Sequence, residues 1–234
     1  MLNNKRQYLA NLFITATDTD AGKTLVASAL TAALVKQQQK VAVFKPISAG
    51  CELINDELVN EDALLLQQQA NCGQTIRQIN PIAFAPPIAP HIAAQQCQTV
   101  ISVNNINAGF ERVQELNSDI VITEGAGGWR LPLGNGQYLS SFVQQQGCDV
   151  ILVVAMKLGC LNHAILTYET IINDGLNIVG WVANAEHDMP FLTENIELLT
   201  DTFAAPLIAK LDHVDSIEQA SNHFDLTKLL CPFD

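Results

Sequence analysis

Residues Ala16-Thr17-Asp18-Thr19-Asp20-Ala21-Gly22-Lys23-Thr24 lie between an apolar run, Leu12-Phe13-Ile14-Thr15, and an apolar-periodic segment that starts at Leu25. The pattern predicts strand, loop and helix, with Gly-Lys-Thr where the helix begins. Backbone N–H groups at such a junction cradle a phosphate, Lys23 reaches the outer phosphates, and the Thr24 hydroxyl can hold Mg²⁺. The general phosphate-loop pattern also has a glycine five residues before Gly22. Thr17 stands there instead, so the rest of the chain has to carry the reading.

At 234 residues the chain is long enough for one α/β domain with a sizeable core, or for two small domains. With 48% apolar residues it reads as globular rather than disordered. Its net charge of −12 argues against nucleic acid and against anionic membrane surfaces. The longest strongly apolar run, residues 150–156, is too short to span a bilayer. Segment 1–7 is positively charged but no apolar stretch follows it, so it is not read as a secretory signal. Six cysteines with no C-x-x-C spacing read as reduced thiols of a cytosolic protein.

Apolar, β-branched runs alternate with longer helical patterns. Residues 12–16, 41–44, 120–123, 150–155 and 178–182 read as buried strands. Residues 23–37 read as a helix with Val26, Leu30, Ala33 and Leu34 on one face. Segments 61–70, 104–116, 161–173 and 190–202 are further helices, with Asn173-Asp174-Gly175 as a stop signal. The fold class expected is α/β: a single P-loop NTPase-like domain over residues 1–234, with a mostly parallel sheet flanked by helices on both faces. Ligands then lie at the carboxyl ends of the strands. The proline-rich stretch 81–90 is expected to be a loop folded over a site.

Three further strand ends carry chemistry. Lys45-Pro46 follows one strand, and the proline fixes the direction of the chain there. Glu124, followed by Gly125-Ala126-Gly127-Gly128-Trp129, is an acid at a strand tip, where nucleotide enzymes hold Mg²⁺. Lys157-Leu158-Gly159-Cys160-Leu161-Asn162-His163 opens a helix whose amides suit an anion such as a carboxylate. His163 is read as a packed or hydrogen-bonded histidine rather than a general base. Asn184 ends another strand, and its amide could match an adenine edge. Lys23, Lys45 and Lys157 are rare cations on an acidic chain, and a shared anion site is expected of them.

Taken together, these segments resemble the dethiobiotin synthetase family. The matching pieces are Thr17-Asp18-Thr19 with Gly22-Lys23-Thr24, Lys45-Pro46, Asp62-Ala63, Pro90-His91, the Glu124–Trp129 and Lys157–His163 stretches, and Gly180-Trp181-Val182-Ala183-Asn184. They run in family order over nearly the whole chain. The resemblance implies an ATP- and Mg²⁺-dependent cytoplasmic ligase of biotin synthesis that acts on 7,8-diaminononanoate and CO₂. It implies catalytic roles for Lys23 and Lys45. ATP would be held by Thr19, Asp20, Ala21, Gly22, Lys23, Thr24, Leu25, Glu124, Gly127, Asn184 and Pro206. Thr24, Asp62 and Glu124 would surround Mg²⁺. Substrate would meet Lys45, Ala49, Lys157, Leu158, Gly159 and Asn162, the last group from the other subunit of a homodimer.

The chain also departs from the family pattern. Ala16 replaces a glycine, so either its φ is negative or the loop is altered. Ala49 and Ala89 stand where hydroxyl residues are usual, with Ser48 one position early, and Asp20-Ala21 replaces a pair that is more often acid-then-valine. A rival reading is an ATP-driven switch of the partitioning type. It is disfavoured by the absence of lysine from 16 to 21 and by a chain end, 216–234, with Lys228 as its one basic residue apart from histidine. A non-catalytic paralogue is disfavoured by the retention of Lys23, Lys45, Asp62 and Glu124.

Overall fold

In the computed structural model, which describes residues 11–185 and 188–230, β1 (Asn11–Ala16) leads through the glycine-bearing loop into α1 (Lys23–Lys36). Then come β2 (Val41–Phe44), β3 (Ile47–Ala49), β4 (Glu52–Ile54), β5 (Glu57–Val59), α2 (Glu61–Gln69) and α3 (Ile76–Ile79). β6 (Ile82–Phe84), α4 (Pro90–Gln96), α5 (Val103–Gln114), β7 (Ile120–Glu124), β8 (Pro132–Gly134) and β9 (Gln137–Tyr138) follow. The remainder is α6 (Ser140–Gln146), β10 (Asp149–Ala155), α7 (Cys160–Asn173), β11 (Ile178–Asn184), α8 (Leu192–Thr202), β12 (Leu207–Leu211), α9 (Ile217–Ser221) and α10 (Thr227–Leu230). The readings of segment 1–7 and of Cys231 lie outside the described residues.

Six strands form one sheet in the order β12-β11-β10-β1-β7-β2, and every pairing in it is parallel. Strands buried on both faces need apolar side chains on both, which is why they read as continuous runs rather than alternating ones. Side chains still alternate between the faces. Phe13, Val150, Leu152 and Val154 join a core with α4, α5, α6, α7 and α8. Leu12, Ile14, Ile151 and Val153 join the opposite core with α1, α2, α9 and α10. In the first core Phe110 lies edge-on to Phe142 at 5.3 Å and tilted to Phe44 at 5.7 Å. Each such ring adds about 1.5–3 kcal/mol of burial. On the other side α1 buries Val26, Leu30, Ala33 and Leu34, the face expected of it.

Several expectations need correction. Stretch 81–90 is not all loop: Ile82–Phe84 pairs with β3, and Pro90 is the first residue of α4, where its missing N–H costs nothing. Strand β12 and helices α3, α4, α6, α9 and α10 were not expected. The helix expected over 190–202 begins only at Leu192. Glu124 and Asn184, by contrast, are the last residues of β7 and β11, the strand ends expected of them.

Strand order decides the site. β1 and β2 are not neighbours; β7 lies between them. Ile14 is in register with Glu124, and Phe44 with Thr123. One residue further, Lys45 therefore comes level with Glu124, and Glu124 stands between the phosphate loop and Lys45.

Candidate active site

The loop between β1 and α1 begins at a fully buried Ala16, which closes β1 without a positive φ. The departure from glycine at this position is thus absorbed as strand. Left-handed backbone falls instead on Asp20, at φ 55°, and on Gly22, at φ 90°. Aspartate is among the few residues that accept this region with a side chain. Gly22 caps α1 with no side-chain partner for the first N–H groups, which leaves them available to an anion. The Asn184 amide donates to the Ala21 carbonyl at 3.1 Å and so ties β11 to the loop.

Asp18 organises the loop's outer side. Its carboxylate accepts from the Thr19 N–H at 2.8 Å and faces Lys157 at 3.4 Å, while its carbonyl accepts from the Lys23 ammonium at 3.1 Å. The Thr19 N–H and Lys157, against a little burial, hold the Asp18 carboxyl below its ordinary value. The Lys23 ammonium is buried, and burial together with the nearby charge of Lys45 lowers its pKa.

At the centre, Lys45 Nζ lies 2.6 Å from Glu124 Oε1 and 2.9 Å from Asp62 Oδ2. Thr24 Oγ1 lies 2.9 Å from the same Glu124 Oε1 and 2.8 Å from Asp62 Oδ1. Asp62 arrives from the first turn of α2. Burial opposes the charge on Lys45, but Glu124 and Asp62 overcome it and hold the ammonium above the ordinary lysine value. Burial works against the Asp62 charge too, and Lys45 outweighs it, so that carboxyl titrates low. Glu124 is fully enclosed, and burial raises its pKa despite Lys45.

Thr24 has one hydroxyl proton and so can donate to only one of its two carboxylate neighbours. Glu124 Oε2 is buried with no partner. Among the described residues no three His, Cys, Asp or Glu side chains gather around one point. The donor set here is two carboxylates and a hydroxyl, all oxygen, which suits Mg²⁺ completed by waters and substrate phosphates. Cis oxygens on an octahedral Mg²⁺ at about 2.1 Å are about 3 Å apart, close to the 2.8 and 2.9 Å spacings around Thr24 Oγ1. The residues fit the ion.

A cavity of about 780 Å³ is lined by Thr19, Asp20, Gly22, Lys23, Thr24, Lys45, Ser48, Ala49, Asp62, Ala89, Glu124 and Gly127, among others. It gathers most of the expected ATP, metal and catalytic residues, and both hydroxyl-lacking alanines face it. Lys157 is elsewhere: it lines a second cavity of about 410 Å³ with Asp18, Thr19, Asp20 and Asn184. The three lysines therefore do not share one cavity. Ala21, Leu25 and Pro206 line neither: Ala21 is fully buried, and the Pro206 carbonyl accepts from the Trp181 N–H at 2.9 Å. Leu158, Gly159 and Asn162 lie exposed at the start of α7, with Leu158 98% exposed. His163 is exposed too, rather than packed.

Two features escaped the sequence reading. Gly125 is required less by a ligand than by packing, since a Cβ there would stand 2.9 Å from Phe13 and 3.2 Å from the Ile14 carbonyl. The loop that follows is fastened to the end of α7. Arg130 makes two 2.7 Å bonds to Asp174, and Trp129 Nε1 donates to the same carboxylate at 2.8 Å. Arginine and an acid 44 residues apart carry no local signal.

A protein-family model described as an AAA domain matches residues 10–221. The ATP-dependent dethiobiotin synthetase BioD of Aeromonas salmonicida is 43% identical over 223 residues, covering 94% of this chain and 99% of that one. Its counterpart in Cellvibrio japonicus is 47% identical, covering 93% of this chain and 96% of that protein. The Alteromonas mediterranea protein of the same description is 48% identical, covering 88% and 93%. Among solved structures, the signal recognition particle receptor FtsY from Elizabethkingia anophelis superposes with a TM-score of 0.51 at 13% identity, over 98% of this chain and 67% of that one. At that identity the likeness concerns the fold alone.

Proposed function

The chain belongs to the ATP-dependent dethiobiotin synthetase family, and from that premise we infer that the cavity around Lys23, Lys45 and Glu124 is where its reaction runs. The protein is a C–N-bond-forming ligase of biotin synthesis that uses ATP. One amine of 7,8-diaminononanoate adds to CO₂, giving a carbamate and releasing a proton. The carbamate oxygen takes the γ-phosphoryl group of ATP, and ADP leaves. The second amine then attacks the carbamoyl carbon and expels phosphate, closing the ureido ring.

One observation carries the assignment of the site. Lys45 Nζ and Thr24 Oγ1 both meet Glu124 Oε1, at 2.6 and 2.9 Å. The group suited to a carbamate and the group suited to the ATP phosphates thus converge on a single oxygen. Carbamate and triphosphate are both anionic, so bringing them within reach is mainly a matter of position and charge. In this reading Lys45 binds the carbamate and steadies the charge that develops on it. Lys23 and the N–H groups at the start of α1 hold the β- and γ-phosphates. Asn184 reads the adenine with the part of its amide not turned to Ala21. Mg²⁺, held by Thr24, Asp62 and Glu124, would supply positive charge to the phosphate oxygens. Phosphoryl-transfer sites of this kind gain most of their rate from such fixed charges.

The same reading takes residues 1–234 as one domain and the active form as a homodimer. Supporting the dimer, Leu158 is almost fully exposed and the α7 residues Leu166 and Ile172 are 55% and 45% exposed. The exposed start of α7 would meet the substrate carboxylate of the partner protomer. Among the described residues no helix is long and apolar enough to cross a membrane, and five cysteines are free, which supports a cytoplasmic enzyme. The test is direct: purified protein with 7,8-diaminononanoate, bicarbonate, ATP and Mg²⁺ yields dethiobiotin by mass spectrometry. Absence of product, with ATP hydrolysis indifferent to the diamine, would refute the assignment.

A further inference from the structure

Lys45 lies just past the end of an edge strand. β2 pairs with β7 on one side only, so the backbone groups of alternate residues on its other side need partners from elsewhere. Side-chain amides and one turn of backbone supply them. The Val41 N–H donates to Asn71 Oδ1 at 2.8 Å. The Val43 N–H donates to Gln74 Oε1, and Gln74 Nε2 returns a bond to the Val43 carbonyl, both at 2.8 Å. The Lys45 N–H donates to the Ile79 carbonyl at 2.8 Å, and Asn80 Nδ2 donates to the Lys45 carbonyl at 2.7 Å. Gln74 and Asn80 stand in for a missing seventh strand.

Asn80 does one thing more. Its Oδ1 accepts from the Ser48 hydroxyl at 2.6 Å. The Ser48 proton is thereby used, so the thiol of Cys51, 3.0 Å away, is the donor of that contact. A single buried amide therefore clamps both sides of the Lys45-Pro46-Ile47 bend. Pro46 has no N–H, so the bend cannot secure itself at that residue. Lys45, Ser48 and Asn80 are each no more than 4% exposed, and bonds so sheltered do not exchange freely with water.

We infer that Asn80 is a positioning residue for Lys45: through the Lys45 carbonyl and Ser48 it fixes the backbone from which the lysine reaches Glu124. The inference rests on the reading of Lys45 as the carbamate lysine. A long, flexible side chain places its ammonium only as accurately as its Cα is held, and a displacement of about 1 Å costs roughly 100-fold in rate.

The experiment compares Asn80→Asp, Asn80→Ala, Ser48→Ala and Lys45→Gln by steady-state dethiobiotin formation and by ATP calorimetry. Asn80→Asp keeps the shape and removes the donor. Its kcat is expected to fall at least roughly tenfold, with ATP affinity and binding stoichiometry within about twofold of the parent. Ser48→Ala lowers kcat by a smaller factor and leaves the KM for the diamine in place. A kcat loss matched by loss of ATP binding would show a merely structural role and overturn the inference, as would an unchanged kcat. If the Asn80 variants do not fold, Ser48→Ala decides by the same criteria. Lys45→Gln separates the two levels. If it keeps turnover, the reading of Lys45 itself fails. If it loses turnover while Asn80→Asp and Ser48→Ala keep theirs, only the positioning role fails.

Discussion

A Cβ on Gly22 would collide with Nδ2 of Asn184. The phosphate loop and the end of β11 are thus fitted to each other at a residue with no side chain. Gly22 also sits at φ 90°, where any other residue is strained. Gly22→Ala is expected to weaken ATP binding at least roughly tenfold, since left-handed backbone alone costs about 1–2 kcal/mol. Calorimetry with ATP checks this; parental affinity in Gly22→Ala would contradict the fit.

Glu124 and Asp62 share Lys45 and Thr24 but not equally. Glu124 is fully buried and has one oxygen with no partner, whereas the Asp62 side chain is 35% exposed. Asp62→Asn should therefore mainly raise the Mg²⁺ concentration needed for half-maximal rate. Glu124→Gln should lose most of kcat and also destabilise, toward the roughly 3–5 kcal/mol of a broken buried pair. A Mg²⁺ titration of product formation, alongside thermal unfolding, distinguishes the two. Equal effects from both substitutions would mean that the carboxylates have interchangeable roles.

The interior strands were legible because parallel strands covered on both faces must be apolar throughout. β12 was not: it is five residues long, follows Pro206, and carries the exposed Lys210. Helix α6 buries only Ser140, Phe142 and Val143 in seven residues, too little for a period to show. At the site, Gly22-Lys23-Thr24 and the acid at Glu124 were readable as local motifs. Their meeting with Lys45 depends on β7 lying between β1 and β2, and strand order leaves no mark on a single sequence. The amides of Gln74 and Asn80 were missed for a related reason. A side chain that replaces a strand has neither a period nor a motif.

Ala49 and Ala89 both face the larger cavity. If the diamine lies in this cavity as proposed, a hydroxyl at either position gives it one more partner, worth about 0.5–1.5 kcal/mol. Ala49→Ser or Ala89→Ser should lower the KM for 7,8-diaminononanoate by up to about tenfold, with the KM for ATP unchanged. Steady-state kinetics with each substrate varied in turn checks this. A raised diamine KM would mean that the alanines make room rather than leave a bond unmade.

Cys148 is enclosed behind α6, and burial, with a smaller push from Asp149, raises its thiol to about 12. The thiol is neutral when protonated, so in the unfolded chain it loses its proton at lower pH than in the folded one. Stability from this group is complete below the ordinary thiol range and is lost as pH rises toward about 12. The slope is about 1.4 kcal/mol per pH unit within that window. Cys148→Ala should remove it. Urea midpoints at pH 8 and 10.5 should converge between variant and parent as pH rises, because other titrating groups are common to both. A constant gap would show that the thiol does not ionise on unfolding.

Leu158 is 98% exposed immediately before α7, a position that no monomer's core accounts for. If this end of α7 seats against a partner protomer, Leu158 is buried there, and removing it costs about 1.5–3 kcal/mol per site. Leu158→Glu adds a desolvated charge to that loss and should weaken the dimer by at least roughly 100-fold. The variant should then be a monomer by light scattering at micromolar concentration, with ATP binding intact, because the phosphate loop lies within one protomer. Its specific activity should rise with protein concentration as dimers re-form, since the substrate carboxylate would depend on the partner's helix start. A monomeric Leu158→Glu protein with full, concentration-independent activity would separate the α7 face from catalysis and leave each protomer with a complete site.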